Sequence, residues 1–187
     1  MSINITGPVL QKLFATLKEF LDSKHRGQDE MLHAVKTISV QSACNTNDNF
    51  MSAIYNVKCM TEFEKQQKRQ EFYDLIFKAQ IISEESSSDA EKYFWNVVFT
   101  KEKIVYEEIL SKIEALGSGH EFSLAPKMHH FYTEGENYSC LILDNLISKG
   151  YYIPKTVGND GAGLSLRECK IIVRNLARLH ALSLGKF

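Results

Sequence analysis

Apolar residues recur every three or four positions early in the chain, at Leu10, Leu13, Phe14, Leu17, Phe20 and Leu21. That spacing marks one face of an amphipathic helix. Gly7-Pro8 opens it, proline being suited to the first helical position, and it ends before His25-Arg26-Gly27. A second short helical stretch is expected from Gln28 to about Val35. From Lys36 the period falls to two: Ile38 and Val40 face one way, Thr37, Ser39 and Gln41 the other, as in a strand. Asn45-Thr-Asn-Asp-Asn49 is a turn by composition, because Asn and Asp tolerate left-handed dihedrals. Strands are expected at Phe50–Met60 and Phe72–Ile82, with a charged connection from Glu62 to Glu71. Two hairpin-like links in succession imply an antiparallel meander.

Ser88-Asp-Ala-Glu91 reads as a capping box opening a long helix from about Asp89 to Leu116, with Gly117 as its left-handed cap. Phe131-Tyr132 and Tyr138–Leu143 look like two more strands across a Glu134-Gly-Glu-Asn137 turn. A second capping box, Ser165-Leu-Arg-Glu168, starts a last helix expected to turn Ile172, Leu176, Ala177 and Leu179 toward a core. The fold class is α+β, a five-stranded antiparallel sheet with one long helix inserted after the third strand and another helix beyond the fifth.

Composition narrows the function classes. Hydrophobic residues make up 44% of the 187 and charged residues 24%, an ordinary balance for a packed domain. A net charge of -1 gives no electrostatic case for nucleic acid or an anionic membrane, which reward clustered cations. No apolar run approaches a membrane span, and the first residues have no secretory pattern. Cys44, Cys59, Cys140 and Cys169 are scattered, without CxxC pairing, as thiols of a reducing cytoplasm are. His129-His130 is discounted as a metal pair, because adjacent side chains on a regular element point apart.

Two charges stand where charge is costly. Glu102 lies on the apolar stripe Val98, Val105, Ile109 and Ile113 of the long helix. Lys78 shares a strand face with Ile76 and Gln80, while Leu75, Phe77, Ala79 and Ile81 share the other. A buried unpaired charge costs several kcal/mol, so one reading is that the two pair with each other. The other is a snorkelling lysine and a glutamate at the stripe's edge. Spacing alone leaves both open.

The ordered blocks Asn47-Asp-Asn-Phe-Met-Ser52, Leu75-Ile-Phe-Lys78, Phe99-Thr-Lys-Glu102-Lys-Ile-Val-Tyr106, Leu141-Ile-Leu-Asp-Asn-Leu146 and Leu176-Ala-Arg-Leu-His-Ala-Leu-Ser183 resemble the amino-terminal half of the ecdysteroid-kinase-like family. The resemblance implies a protein-kinase-like fold, related to choline and aminoglycoside kinases, that uses ATP and magnesium to phosphorylate small-molecule hydroxyls. It divides the chain into an N-terminal helical segment (1–35), a kinase-like N-lobe with nucleotide site and hinge (36–146) and the start of a C-lobe (147–187).

Carried over residue by residue, Asn47, Asp48, Asn49, Phe50 and Ser52 resemble the phosphate-covering turn. Lys78 resembles the phosphate-binding lysine and Glu102 its ion-pair partner. Asp144, Asn145 and Leu146 resemble the hinge whose backbone meets adenine. His180 matches the histidine ahead of the catalytic loop, and its position beside Leu176 suggests a core histidine. Two departures stand out: the turn opens with Asn47 where the family usually has glycine, and the hinge reads Asp-Asn rather than Glu-Asp. No His-x-Asp with a following Asn occurs, and the chain ends at Leu184-Gly-Lys-Phe187, where that loop should begin. The expectation is therefore a chain truncated before its catalytic and metal-binding aspartates and inactive as given. The alternative is a non-catalytic nucleotide- or partner-binding module.

Overall fold

The alternating segments in the middle of the chain pair into one antiparallel sheet. The computed structural model describes residues 7–26, 32–43, 52–63, 69–80, 88–116, 125–135, 138–152 and 163–184. Helix α1 (Gly7–His25) is followed by strands β1 (Leu32–Ser42), β2 (Ala53–Phe63) and β3 (Arg69–Ala79). Helix α2 (Asp89–Ile104) passes through a π-helical turn (Val105–Leu110) into α3 (Ser111–Leu116). Strands β4 (Met128–Glu134) and β5 (Tyr138–Asp144) then precede α4 (Leu166–Leu184). The strand order is β1-β2-β3-β5-β4, and every neighbouring pair is antiparallel. Gly135, at φ +57°, supplies the left-handed residue of the β4–β5 turn, a conformation most side chains avoid.

Two compact units divide the chain: Met1–Lys103 with Lys127–Asn145, and Ile104–Pro126 with Leu146–Phe187. In the first, α1 covers one sheet face. Leu13, Leu17, Phe20 and Leu21 meet Val57, Cys59, Leu75, Phe77, Ala79, Cys140 and Ile142 in a single core. Burial alone pushes the Cys59 thiol up to about 11, and mainly burial pushes the Cys140 thiol up to about 12, so both stay protonated and inert at neutral pH. The end of α1 is tied to β3, where the Lys24 ammonium donates to the Tyr73 hydroxyl at 2.9 Å and that hydroxyl donates to Glu71. In the second unit, α3 and α4 border an open cavity of about 380 Å³ lined by Ile109, Ile113, Leu116 and Leu182.

Both capping boxes form. The Ser88 amide donates to Glu91 at 3.0 Å and the Glu91 amide to the Ser88 hydroxyl at 3.3 Å. At α4 the Ser165 amide donates to Glu168 at 2.7 Å and the Glu168 amide returns to the Ser165 hydroxyl at 3.2 Å. Hydrogen bonding to its carboxylate from the Ser165 side chain first, and then from the Ser165 amide, holds the Glu168 carboxyl below the usual range.

Several expectations are corrected. Leu32–Val35 is strand rather than helix, because this stretch pairs with Thr61–Phe63 of β2. The strict alternation of β1 is broken by a register shift between Thr37 and Ser39. The second strand starts later than expected and, with β3, absorbs both ends of the charged connection: Glu62 pairs with Gln70 and Thr61 with Glu71. The long helix has the expected bounds, but its apolar stripe does not hold. The π-helical turn adds a residue to one turn and shifts the phase, leaving Val105 and Ile109 exposed and Ile113 buried. Helix α4 buries no residue; Ile172, Leu176, Ala177 and His180 are exposed and Leu179 is half-buried. His180 is therefore not a core histidine here, since no described element of its unit closes over that face. The Asn45–Asn49 turn, residues 28–31, Ile81, Ile82 and the Gly117 cap lie outside the described residues.

Candidate functional site

Strand periodicity sorts the sheet's side chains into two sets. On the face turned away from α1, the register aligns Ile54 of β2 with Lys78 of β3 and Leu141 of β5, and Asn56 with Ile76 and Leu143. Ile54 and Ile76 are half-buried, whereas Leu141 and Leu143 are buried. Lys78 is thus a cation on an otherwise largely apolar surface. Its partner comes from α2, where Glu102 stands one turn after the buried Phe99. The Lys78 ammonium donates to both oxygens of Glu102, at 2.7 and 2.8 Å. The side chains are 28% and 23% exposed, so the pair sits at the border between protein and solvent. Of the two readings open at the level of spacing, the mutual pair is the one formed.

Further along the same face lies a second polar group. Asn145 follows β5 and is 4% exposed, and its side-chain amide donates to Asp74 Oδ1 at 2.7 Å. Asp74 in turn meets the Lys58 ammonium at 3.2 Å. This contact accounts for an amide rather than a carboxylate at 145. An acid there would set two carboxylates against each other, and like charges that close disfavour ionisation of both.

The preceding residue faces the other way. Asp144 Oδ1 lies 2.7 Å from His129 Nε2, and the His129 ring packs edge-on against Phe20 of α1, 5.9 Å between centroids. The His130 ring also reaches Phe20, at 6.2 Å, while its Nε2 lies 3.3 Å from Glu19. The two histidines thus do not point apart as expected, because β4 is irregular between Met128 and His130. The Leu146 carbonyl accepts the amides of Lys149 and Tyr151 at 3.1 and 3.0 Å.

Of the residues singled out from sequence, Lys78 and Glu102 meet directly. Asp144 ends the strand next to β3 and Asn145 follows it, and Ser52 is buried just ahead of β2. Asn47, Asp48, Asn49 and Phe50 lie outside the described residues. Sequence reasoning passed over Asp74 and Lys58 and weighed His129 only as a metal ligand, because the pairing of β2 with β3, of β3 with β5 and of β4 with β5 is what brings them to the hinge residues. Among the described residues no group of three or more His, Cys, Asp or Glu side chains could hold a metal ion. Nor is any described helix long and apolar enough to cross a membrane. Compared with known proteins, residues 46–185 match the sequence model of the ecdysteroid kinase-like family. No curated protein and no solved structure matches.

Proposed function

The chain belongs to the ecdysteroid kinase-like family, and from that membership we propose that it binds ATP on the Lys78 face of its sheet, as the donor side of a small-molecule hydroxyl phosphotransferase. The observation that carries this reading is the Lys78–Glu102 pair. A strand lysine held by a helix glutamate is how kinases present a cation to nucleotide phosphates. Glu102 fixes the ammonium in place, so little freedom remains to be lost when an anion docks. The surroundings fit the rest of the ligand. Half-buried Ile54 and Ile76 offer an apolar floor for a flat base, and Asp144, Asn145 and Leu146 would meet its edge through backbone groups. Ser52 and the Asn47–Phe50 turn would cover the phosphates.

In this reading residues 36–146 form a kinase-like N-lobe and 147–187 begin a C-lobe. ATP supplies the phosphoryl group and magnesium accompanies it, with no magnesium ligand proposed in this chain. The acceptor is a small alcohol of the ecdysteroid or choline type. A nucleotide-dependent reaction and the free thiols of the three described cysteines, Cys59, Cys140 and Cys169, suit a reducing, ATP-rich cytoplasm. The 187 residues contain no His-x-Asp with a following Asn, and phosphoryl transfer depends on carboxylates that place the acceptor and the metal. The polypeptide by itself is therefore proposed to bind nucleotide without turning it over.

Calorimetric titration with magnesium-ATP, beside a coupled phosphotransfer assay with an ecdysteroid and choline, tests both parts. The expected result is saturable binding that is lost in Lys78→Ala, with no transfer. A polypeptide that does not bind ATP, or that binds it equally well without Lys78, overturns the site. Turnover that vanishes in Lys78→Ala keeps the site and overturns the non-catalytic part.

A further inference from the structure

We propose that Asp74 and His129 are positioning residues that pin the successive residues Asn145 and Asp144 from opposite faces of the sheet, and thereby set the affinity for the adenine base. The inference rests on the nucleotide reading above. Neighbouring residues of a strand project to opposite sides. Here each of the two is caught: Asn145 by Asp74 at 2.7 Å, Asp144 by His129 at 2.7 Å. Each pin is itself held, Asp74 by the Lys58 ammonium at 3.2 Å and His129 by the ring of Phe20.

The consequence is geometric. A roll of the chain about its own axis at this point would carry both side chains with it, one on each face of the sheet. Anchoring those side chains on opposite faces blocks the motion, so the amides and carbonyls of this segment keep one direction. A base read by backbone groups alone depends on that direction, and a preset one spares the ordering cost at binding. Position agrees. Asp74 and Lys78 lie on one face of β3 four residues apart, about 13 Å along the strand. The pin and the phosphate cation thus stand at opposite ends of an extended nucleotide.

The test separates the two ends by using two probes on the whole chain, ATP and inorganic triphosphate, which lacks the base. Asp74→Ala is expected to weaken ATP about tenfold, the effect of losing one charge-assisted bond, and to leave triphosphate unchanged; His129→Ala is expected to follow it. Asn145→Asp, which sets a second carboxylate against that of Asp74, should behave like Asp74→Ala. The double exchange Asp74→Asn with Asn145→Asp reverses the hydrogen bond and should restore ATP affinity. An unchanged ATP affinity in Asp74→Ala overturns the proposal. So does an equal loss for both probes, which marks general damage to the fold, or a double exchange that fails to rescue. Wild-type chain that binds triphosphate through Lys78 but prefers ATP no better keeps the phosphate site and overturns the pin. Wild-type chain that binds neither probe overturns the nucleotide reading and this proposal with it.

Discussion

The two faces of the sheet are made by the same strands and do opposite work. One is dry: Val57, Leu75, Phe77, Cys140 and Ile142 close against Leu13, Leu17 and Leu21 of α1, and its thiols are held protonated by burial. The other carries Lys78 with Glu102 at one end and Asp74 with Asn145 and Lys58 at the other. A residue moved one position along a strand changes from one set to the other. Stability is therefore concentrated on the α1 face and the proposed ligand chemistry on its reverse.

That division makes predictions of unequal size. The largest effect belongs to the dry face. Leu17→Ala empties part of the core and is expected to lower the unfolding free energy by about 2–5 kcal/mol, while ATP affinity of the folded protein stays unchanged. Denaturant melts and a titration of the same sample read both quantities. A loss of affinity as large as the loss of stability would break the separation of the faces.

A smaller effect is expected at the ion pair. Lys78→Met or Glu102→Gln alone leaves a partly buried polar partner unmatched, so each single change costs more than its share of the double change. The coupling in a double-mutant cycle is expected to be about 1 kcal/mol. Zero coupling in stability would leave the geometry without an energetic counterpart.

How far these features were legible depended on how local their causes are. The α1 face, both capping boxes and the two-residue period of β3 are written in spacing and in short-range hydrogen bonds, and they formed as spacing predicts. The stretch Leu32–Val35 carries no decisive period; its strand state comes from β2, more than two dozen residues away in sequence. The π-helical turn at Val105–Leu110 has no composition of its own, so a stripe drawn through it with an unbroken helical period loses phase. Lys78 and Glu102 were found because a charge on an apolar face demands a partner. Asp74 shares its strand face with Phe72 and Ile76 and raises a similar demand, but what Asp74, Lys58 and His129 hold is revealed only by strand order. Helix α4 shows the converse case, a plain amphipathic pattern whose apolar residues are not covered by any described element of its unit.

The most direct measurement follows methyl resonances on both faces through one titration with magnesium-ATP. Ile54 and Ile76 report the Lys78 face; Leu17, Leu21 and Ile142 report the α1 face. The account predicts saturable shifts at Ile54 and Ile76, lost in Lys78→Ala, with the α1-face methyls unmoved. Shifts confined to Leu17, Leu21 and Ile142, or no shift anywhere at saturating nucleotide, would contradict it.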